Sequence, residues 1–242
     1  MATVSELSSP YANFMFGPRR GPGVCGACFN FTRGYDRCYS CAHNELWLAV
    51  VAPISYSVGG EQLHRALRGY KCLGGEIARR LTMELAAVLW RFLAIHERCI
   101  ARAAQAAAFR LVTTVPSSDR SRDPVHPLRR IVGELVGPTR ERYEPLLRRS
   151  GLQVRPRQVD AGKFEPARKL DGEPVLVIDD TWTTGSNVRS AAAALAVAGA
   201  GPVGAVVIGR HLNRGWHEND RRLRGLTQPF DWNRCVLCDG GA

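Results

Sequence analysis

Short apolar runs alternate along this chain with longer amphipathic stretches. Four runs, at 47–52, 109–115, 175–179 and 203–209, have the length and the apolar content of strands. Between them, the spacing of apolar residues predicts helices at 75–105, 128–136 and 187–197. Strands separated by helix-length segments favour a parallel sheet with helices on both faces. The pattern therefore predicts an α/β fold with a doubly wound, mainly parallel sheet.

The third apolar run carries the first candidate chemistry. Residues 175–178 are apolar without polar alternation, which is typical of a central parallel strand covered on both faces. Asp179 and Asp180 come at its carboxyl end. Because ligands of open α/β sheets bind beyond the carboxyl ends of the strands, the acid pair is a candidate site.

A hydroxyl-rich turn follows the acid pair and leads into an alanine-rich helix. Gly185 allows backbone amides to converge on an anion, and the N-terminus of the helix adds unpaired N–H groups. Two carboxylates would repel a bare phosphate, so sugar hydroxyls or a divalent cation are their expected partners. A ribose 5-phosphate unit meets both demands. The alternative is a strand end followed by an ordinary Ser/Thr helix cap. The residues of the turn are Thr183, Thr184, Gly185, Ser186 and Asn187.

Four cysteines near the N-terminus form two Cys-x-x-Cys pairs that are nine residues apart. They are Cys25, Cys28, Cys38 and Cys41. This spacing supplies a complete set of thiolates for a tetrahedral Zn²⁺ ion, and metal binding would fold a segment too short for its own core. Two disulfides are the alternative. No apolar signal segment precedes the cysteines, so we expect a reducing, cytoplasmic setting, and zinc is favoured.

The strand, acid pair and turn resemble the PRPP-binding motif of type I phosphoribosyltransferases, in which two acidic residues precede a T-T-G-x-T loop. The resemblance implies that Asp179 and Asp180 hold the ribose 2′- and 3′-hydroxyls. It also implies that residues 183–187 hold the 5′-phosphate and that Mg²⁺ accompanies the substrate. Asn187 stands where that motif usually has threonine.

A four-cysteine element ahead of such a domain resembles the ComF family, whose named member is a competence protein. Residues 67–75 and Thr114-Val115-Pro116 resemble further segments of that family, whereas residues 126–130 depart from it. The resemblance implies a zinc-binding module at 1–45 and a phosphoribosyltransferase-like domain at 46–242. It implies transfer of a 5-phosphoribosyl group to or from an unidentified acceptor. The alternative is a non-catalytic adaptor in DNA uptake or processing that binds single-stranded DNA or a protein.

Candidates for the pyrophosphate of PRPP lie in two other segments. Lys71 precedes a glycine pair in an expected loop, and a second group follows the strand end at Pro116. Backbone amides, hydroxyls and guanidiniums in that second group could receive an anion. Each of these side chains could equally be solvated. The second group consists of Ser117, Ser118, Arg120 and Arg122.

Composition and charge add a class of partner. The chain has 242 residues, of which 45% are hydrophobic, and a net charge of +11. Residues 101–170 contain 15 Lys and Arg against 7 Asp and Glu. Such a basic region can steer a polyanionic substrate or bind nucleic acid through its phosphates. No stretch is long and apolar enough to predict a membrane span.

A further pair, Cys235 and Cys238, lies close to the C-terminus. One possibility is a second metal site, completed by Cys72, Cys99 or a histidine such as His211 or His217. A redox dithiol is another, although that motif usually opens a helix and little chain follows here. Docking onto the N-terminal zinc element is the third. These alternatives remain open at the level of sequence.

Overall fold

A four-stranded parallel sheet forms the centre of the protein in a computed structural model that describes residues 2–45, 47–117 and 123–238. The strand order is β1-β6-β5-β2, and all three pairings are parallel. β3 and β4 form a separate antiparallel ribbon. The strands are β1 (Val50–Val58), β2 (Leu111–Thr114), β3 (Leu147–Arg149), β4 (Phe164–Pro166), β5 (Val175–Trp182) and β6 (Val203–Leu212).

Helices precede and connect the strands. Within the described residues, 3-10 helices at Ser9–Asn13 and Ala161–Lys163 and a π-helical turn at Ile131–Leu135 supplement the α-helices. None of the helices in the described ranges combines the length and apolar character that a bilayer-spanning helix requires. The α-helices are α1 (Val4–Ser8), α2 (Tyr39–Ala42), α3 (Gln62–Cys72), α4 (Gly75–Ala103), α5 (Pro127–Arg130), α6 (Gly137–Arg140), α7 (Ser186–Val197) and α8 (Asn219–Arg224).

The two faces of the sheet are buried in different cores. Leu176 and Ile178 of β5 belong to the core that contains α3 and α4. Val175 and Val177 belong to the core that contains α7 and the four N-terminal cysteines. Because side chains alternate along a strand, one apolar run serves both cores. The predicted α/β class, with a mainly parallel sheet covered on both faces, is confirmed.

All four predicted strands are present, and each has bounds that differ from the prediction. β1 was expected at 47–52 and lies at Val50–Val58, with Pro53 inside it. Proline is tolerated there because β1 is at the edge of the sheet and pairs only with β6. β5 continues past Asp179 because its pairing with β6 extends to Trp182 and Arg210. The acid pair therefore lies within the strand and not beyond it.

The N-terminal segment packs against the rest of the chain in two places. Tyr11 and Met15 are buried in the core with α4, and the Tyr11 hydroxyl donates to Glu84 at 2.9 Å. The four cysteines lie on the opposite face of the sheet, in the core with α7. The division into modules at residues 45 and 46 stays a prediction.

Candidate functional site

A cleft of about 950 Å³ opens beyond the carboxyl ends of β2, β5 and β6. The end of β2 contributes Val115, Pro116 and Ser117, and β6 contributes His211. Helices α3 and α4 and the turn between them supply much of the remaining lining. Six residues that the sequence marked as candidates line this one cleft: Lys71, Ser117, Asp179, Asp180, Thr183 and Asn187.

The acid pair has two different environments within the cleft. Asp180 is buried, and its Oδ2 accepts from the Tyr70 hydroxyl and lies 2.8 Å from Lys71 Nζ. Asp179 Oδ1 accepts from the backbone N–H of Asp180 at 2.9 Å. Burial and the nearby charge of Asp180 raise the pKa of Asp179. Lys71 and Tyr70 thus fix the position of the Asp180 side chain, whereas Asp179 retains its proton more readily than an ordinary aspartate.

The turn after the acid pair is shaped by Gly185. Gly185 has φ of 79° and forms the N-cap of α7. A Cβ at this position would overlap with the indole ring of Trp182, so both the conformation and the close approach require glycine. Ser186 N–H donates to Thr184 Oγ1 at 3.4 Å, and Thr184 Oγ1 donates to Ser186 Oγ at 3.2 Å. Thr183 and Asn187 line the cleft, whereas Thr184, Gly185 and Ser186 are not among its lining residues.

The two groups of pyrophosphate candidates have different outcomes. Lys71 lies in the last turn of α3 and not in a loop as expected, and it points its ammonium at Asp180. Ser117 lines the cleft, and its backbone N–H donates to Asp123 Oδ1 at 2.6 Å. The same carboxylate is ion-paired with Arg129. Asp123 therefore occupies two donors of the kind that would bind an anion. Ser118, Arg120 and Arg122 lie outside the described residues.

Several other residues of the cleft were not predicted to lie there. Arg68 and Arg79 come from α3 and α4, and Arg130 comes from α5. The rings of His64 and His211 lie 5.2 Å apart at the cleft, and burial lowers the pKa of both. A signal for α3 was available, because Leu63, Ala66, Leu67 and Tyr70 follow helical spacing.

The four N-terminal cysteines converge on a buried cluster that could hold a metal such as zinc. Their sulfur atoms lie within 4.8 Å of one another, and all four residues are buried. All eight cysteines of the chain are within the described ranges, and none of them is in a disulfide. Turn hydrogen bonds shape each pair, from Phe29 N–H to the Cys25 carbonyl and from Cys41 N–H to the Cys38 carbonyl, both at 2.9 Å.

Two buried arginines connect this cluster to the turn at the cleft. Arg189 donates to Cys41 Sγ and to the Ser40 carbonyl. Arg210 donates to the Cys28 carbonyl at 3.0 Å, and also to the carbonyls of Trp182 at 3.1 Å and Thr183 at 3.0 Å. Ser40 Oγ donates to the Thr184 carbonyl at 3.1 Å. The position of the turn thus depends on the four-cysteine cluster.

The charges of this arrangement fit a metal ion with four thiolates. Zn²⁺ with four thiolates carries a net charge of −2. A buried charge needs a partner, and Arg189 and Arg210 bring two positive charges to the cluster while being 0% and 3% exposed. The two guanidiniums would therefore offset the charge of a Zn(Cys)₄ centre.

The C-terminal cysteines lie elsewhere in the fold. Cys235 is buried in the core with α4, and Cys238 packs against that core. His96 and Cys99 join them in a second group of metal-binding side chains, which does not include Cys72, His211 or His217.

Comparisons with known proteins leave the family of the chain open. No protein-family model matches the sequence, and no curated protein matches it.

Proposed function

We propose that the chain is a PRPP-binding protein of the type I phosphoribosyltransferase kind, which transfers a 5-phosphoribosyl group to or from an acceptor with Mg²⁺. The observation that carries the proposal is that one cleft is lined by an acid pair, by several cations and by Thr183 and Asn187, which flank the glycine turn at the N-terminus of α7. Each feature is common alone. Together they match the hydroxyls, the 5′-phosphate and the pyrophosphate of a single substrate.

The acid pair and the turn would hold the ribose 5-phosphate part. Asp179 and Asp180 would accept hydrogen bonds from the 2′- and 3′-hydroxyls, and Lys71 and Tyr70 fix the rotamer of Asp180. The 5′-phosphate would lie at Thr183–Asn187, where α7 begins and presents N–H groups and the positive end of its dipole. α7 has 12 residues, which is enough for three helical turns.

The basic residues of the cleft would face the pyrophosphate. Arg68, Arg79 and Arg130 line the cleft, and guanidinium groups bind phosphate oxygens through paired hydrogen bonds. Mg²⁺ bound with the substrate would supply further positive charge to the pyrophosphate oxygens. These arginines thus suit a leaving group with several negative charges.

In the transfer, an acceptor atom attacks C1 of the ribose, and the bond from C1 to the pyrophosphate oxygen breaks. Pyrophosphate leaves with the electron pair of that bond, and the proton on the acceptor passes to solvent. The carboxylates of Asp179 and Asp180 would stabilise the positive charge that develops on the ribose. The acceptor is not identified by any residue of the cleft.

Substitution of the acid pair tests this proposal. We expect the Asp179→Asn, Asp180→Asn double variant to bind Mg-PRPP about 100-fold more weakly than the wild type. The loss of two charge-assisted hydrogen bonds, at about 1.5 kcal/mol each, gives this factor. Asp171→Asn, an exposed carboxylate outside the cleft, is the matched control and should leave the affinity unchanged. Equal affinity of the double variant and the control would overturn the proposal.

A second candidate function is favoured by a groove of about 480 Å³ beside the four-cysteine cluster. Tyr35, Tyr39 and Trp216 line it and are 71%, 78% and 53% exposed. Arginines lie among these rings, and stacking platforms with guanidiniums are typical of single-stranded nucleic-acid binding. The arginines of the groove are Arg33, Arg37, Arg157, Arg210 and Arg222. This groove supports the alternative of a non-catalytic, ComF-like adaptor that binds single-stranded DNA.

Binding of a single-stranded oligonucleotide at several salt concentrations tests the second candidate. We expect affinity to fall as salt rises, and Tyr35→Ala, Tyr39→Ala to weaken binding by at least about tenfold. Trp47→Ala removes an exposed aromatic ring that is not among the lining residues of the groove, and it should have no effect. Equal losses in both variants would exclude the groove as the binding surface.

A further inference from the structure

Two pairs of metal-binding side chains from distant parts of the chain meet at one face of α4. His96 and Cys99 are three residues apart on α4 and therefore lie on the same face of this helix. Cys235 and Cys238 flank a turn of the C-terminal segment, in which Cys238 N–H donates to the Cys235 carbonyl at 3.1 Å. The four ligand atoms lie within 4.8 Å of one another.

The distances between these atoms are close to those of a tetrahedral site. Cys238 Sγ lies 3.3 Å from Cys99 Sγ, 3.2 Å from Cys235 Sγ and 3.3 Å from His96 Nδ1. Zinc–sulfur bonds of 2.3 Å in a regular tetrahedron place sulfur atoms about 3.8 Å apart. A shift of about half an ångström per sulfur, which is small for side chains, would accommodate the ion.

The surroundings of His96 orient it as a ligand. Its Nε2 donates to the Trp232 carbonyl at 2.9 Å, which leaves Nδ1 without a proton and facing the sulfur of Cys238. Ligating histidines typically have such a second hydrogen bond to a carbonyl, because it fixes the tautomer and the ring. His96 is 1% exposed, so its ring has little access to water as an alternative partner.

The turn from Cys235 to Cys238 also has a hydrogen bond that orients a ligand atom. Leu237 N–H donates to Cys235 Sγ at 3.4 Å, so a backbone hydrogen bond fixes the position of this sulfur. Cys235 itself is 7% exposed. An uncompensated thiolate is costly in such a place, and a bound cation removes that cost.

We propose that His96 Nδ1 and the sulfur atoms of Cys99, Cys235 and Cys238 bind a structural Zn²⁺ ion that holds the C-terminal segment against α4. The ligand set, three thiolates and one imidazole, is closed and soft, as in structural zinc sites. The four-cysteine cluster lies in the core on the other face of the sheet, so the two ions would be bound independently.

Other uses of these cysteines explain less of the arrangement. A disulfide from Cys238 to either neighbour would use two of the three thiols and leave the oriented histidine without a role. A redox dithiol is favoured by a helix N-terminus and by access to a partner, whereas Cys235 is buried and lies in a turn. The four groups act together only around a shared cation.

Metal content of the purified full-length chain tests the proposal. We expect two zinc ions per wild-type chain and one in Cys238→Ser. The four-cysteine variant Cys25→Ser should also retain one. Cys72→Ser removes an exposed cysteine outside both groups and is the matched control, with two ions expected. One zinc in the wild type, unchanged in Cys238→Ser, would overturn the proposal.

Two measurements on the unaltered protein guard against variants that fail to fold. X-ray absorption at the zinc edge should give an average of 3.5 sulfur and 0.5 nitrogen ligands per zinc; four sulfurs and no nitrogen would contradict the second site. Thiol titration of the unreduced, denatured protein in the presence of chelator should find eight thiols. Six thiols would mean that a disulfide is present, and would also overturn the proposal if Cys99, Cys235 or Cys238 is in it.

Discussion

Replacement of Gly185 by alanine tests whether the turn at the cleft is as tightly built as the structure implies. Gly185 has φ of 79°, and a residue with a Cβ in this region loses about 1 to 2 kcal/mol. The added methyl group would lie 2.8 Å from Cη2 of Trp182 and closer still to two other ring atoms. Trp182 is 1% exposed and has Arg189 against its ring, so it has little room to move.

Overpacking of a buried position typically costs about 1 to 3 kcal/mol. The two effects together predict that Gly185→Ala lowers the free energy of unfolding by about 2 to 5 kcal/mol. Gly172→Ala is the matched control, because Gly172 has φ of 74° and no atom within 4 Å of an added Cβ. We expect only the conformational cost there, about 1 to 2 kcal/mol. Urea denaturation of both variants measures the difference.

The affinity for Mg-PRPP is a second test of Gly185→Ala. A displaced Trp182 would move the turn that is expected to hold the 5′-phosphate, so Gly185→Ala should weaken Mg-PRPP binding by at least about tenfold. Gly172→Ala should bind as the wild type does. If the two variants had equal stabilities and equal affinities, the close packing of Gly185 against Trp182 would be refuted as the determinant of the turn.

Three further predictions concern charge, metal and pH. Arg210→Met should lower the free energy of unfolding by about 3 kcal/mol in thermal or urea unfolding, because it leaves the carbonyls of Cys28, Trp182 and Thr183 unpaired. The control Arg214→Met removes exposed ion pairs and should cost under about 1 kcal/mol; equal losses in the two variants would refute the role of Arg210. Removal of zinc should weaken Mg-PRPP binding by at least about tenfold in calorimetry, because Ser40 and Arg210 connect the four-cysteine cluster to the Thr184 and Thr183 carbonyls of the turn. Unchanged affinity would mean that the turn is held without the metal. Burial and the charge of Asp180 raise the pKa of Asp179 to about 8, so PRPP binding that requires the Asp179 carboxylate should release a proton at pH 7, and the affinity should increase as the pH rises to about 8.5. Calorimetry in buffers of different ionisation enthalpy measures the proton release, and its absence would refute the raised pKa.

Local patterns in the sequence were sufficient for the frame of the site. The apolar run at 175–178 predicted a buried strand, and the structure places that strand inside the sheet with both faces covered. The spacing of the four N-terminal cysteines predicted their cluster, because both pairs are short turns. Parallel strands bring their carboxyl ends to one edge, which is why Asp179 and Ser117 could be expected in the same cleft.

Contacts between distant residues could not be predicted in the same way. His96 and Cys235 are separated by more than half of the chain, and a histidine on a long amphipathic helix gives no local sign of its partner. Arginines usually lie on the surface, so the burial of Arg189 and Arg210 could not be predicted from residue type. Both are buried because the folded chain brings them to the four-cysteine cluster. Helix α3 was missed although its apolar spacing was visible, and Tyr70 and Lys71 were therefore not placed against Asp180.

Calorimetric titration of the zinc-loaded protein with PRPP tests the central claim most directly. The titration is run with and without Mg²⁺, and ribose 5-phosphate, which lacks the pyrophosphate, serves as the control ligand. We expect saturable binding of one PRPP per chain that requires Mg²⁺, with weaker binding of ribose 5-phosphate. Absence of binding to either sugar phosphate, with or without Mg²⁺, would contradict the claim that this cleft is a PRPP site.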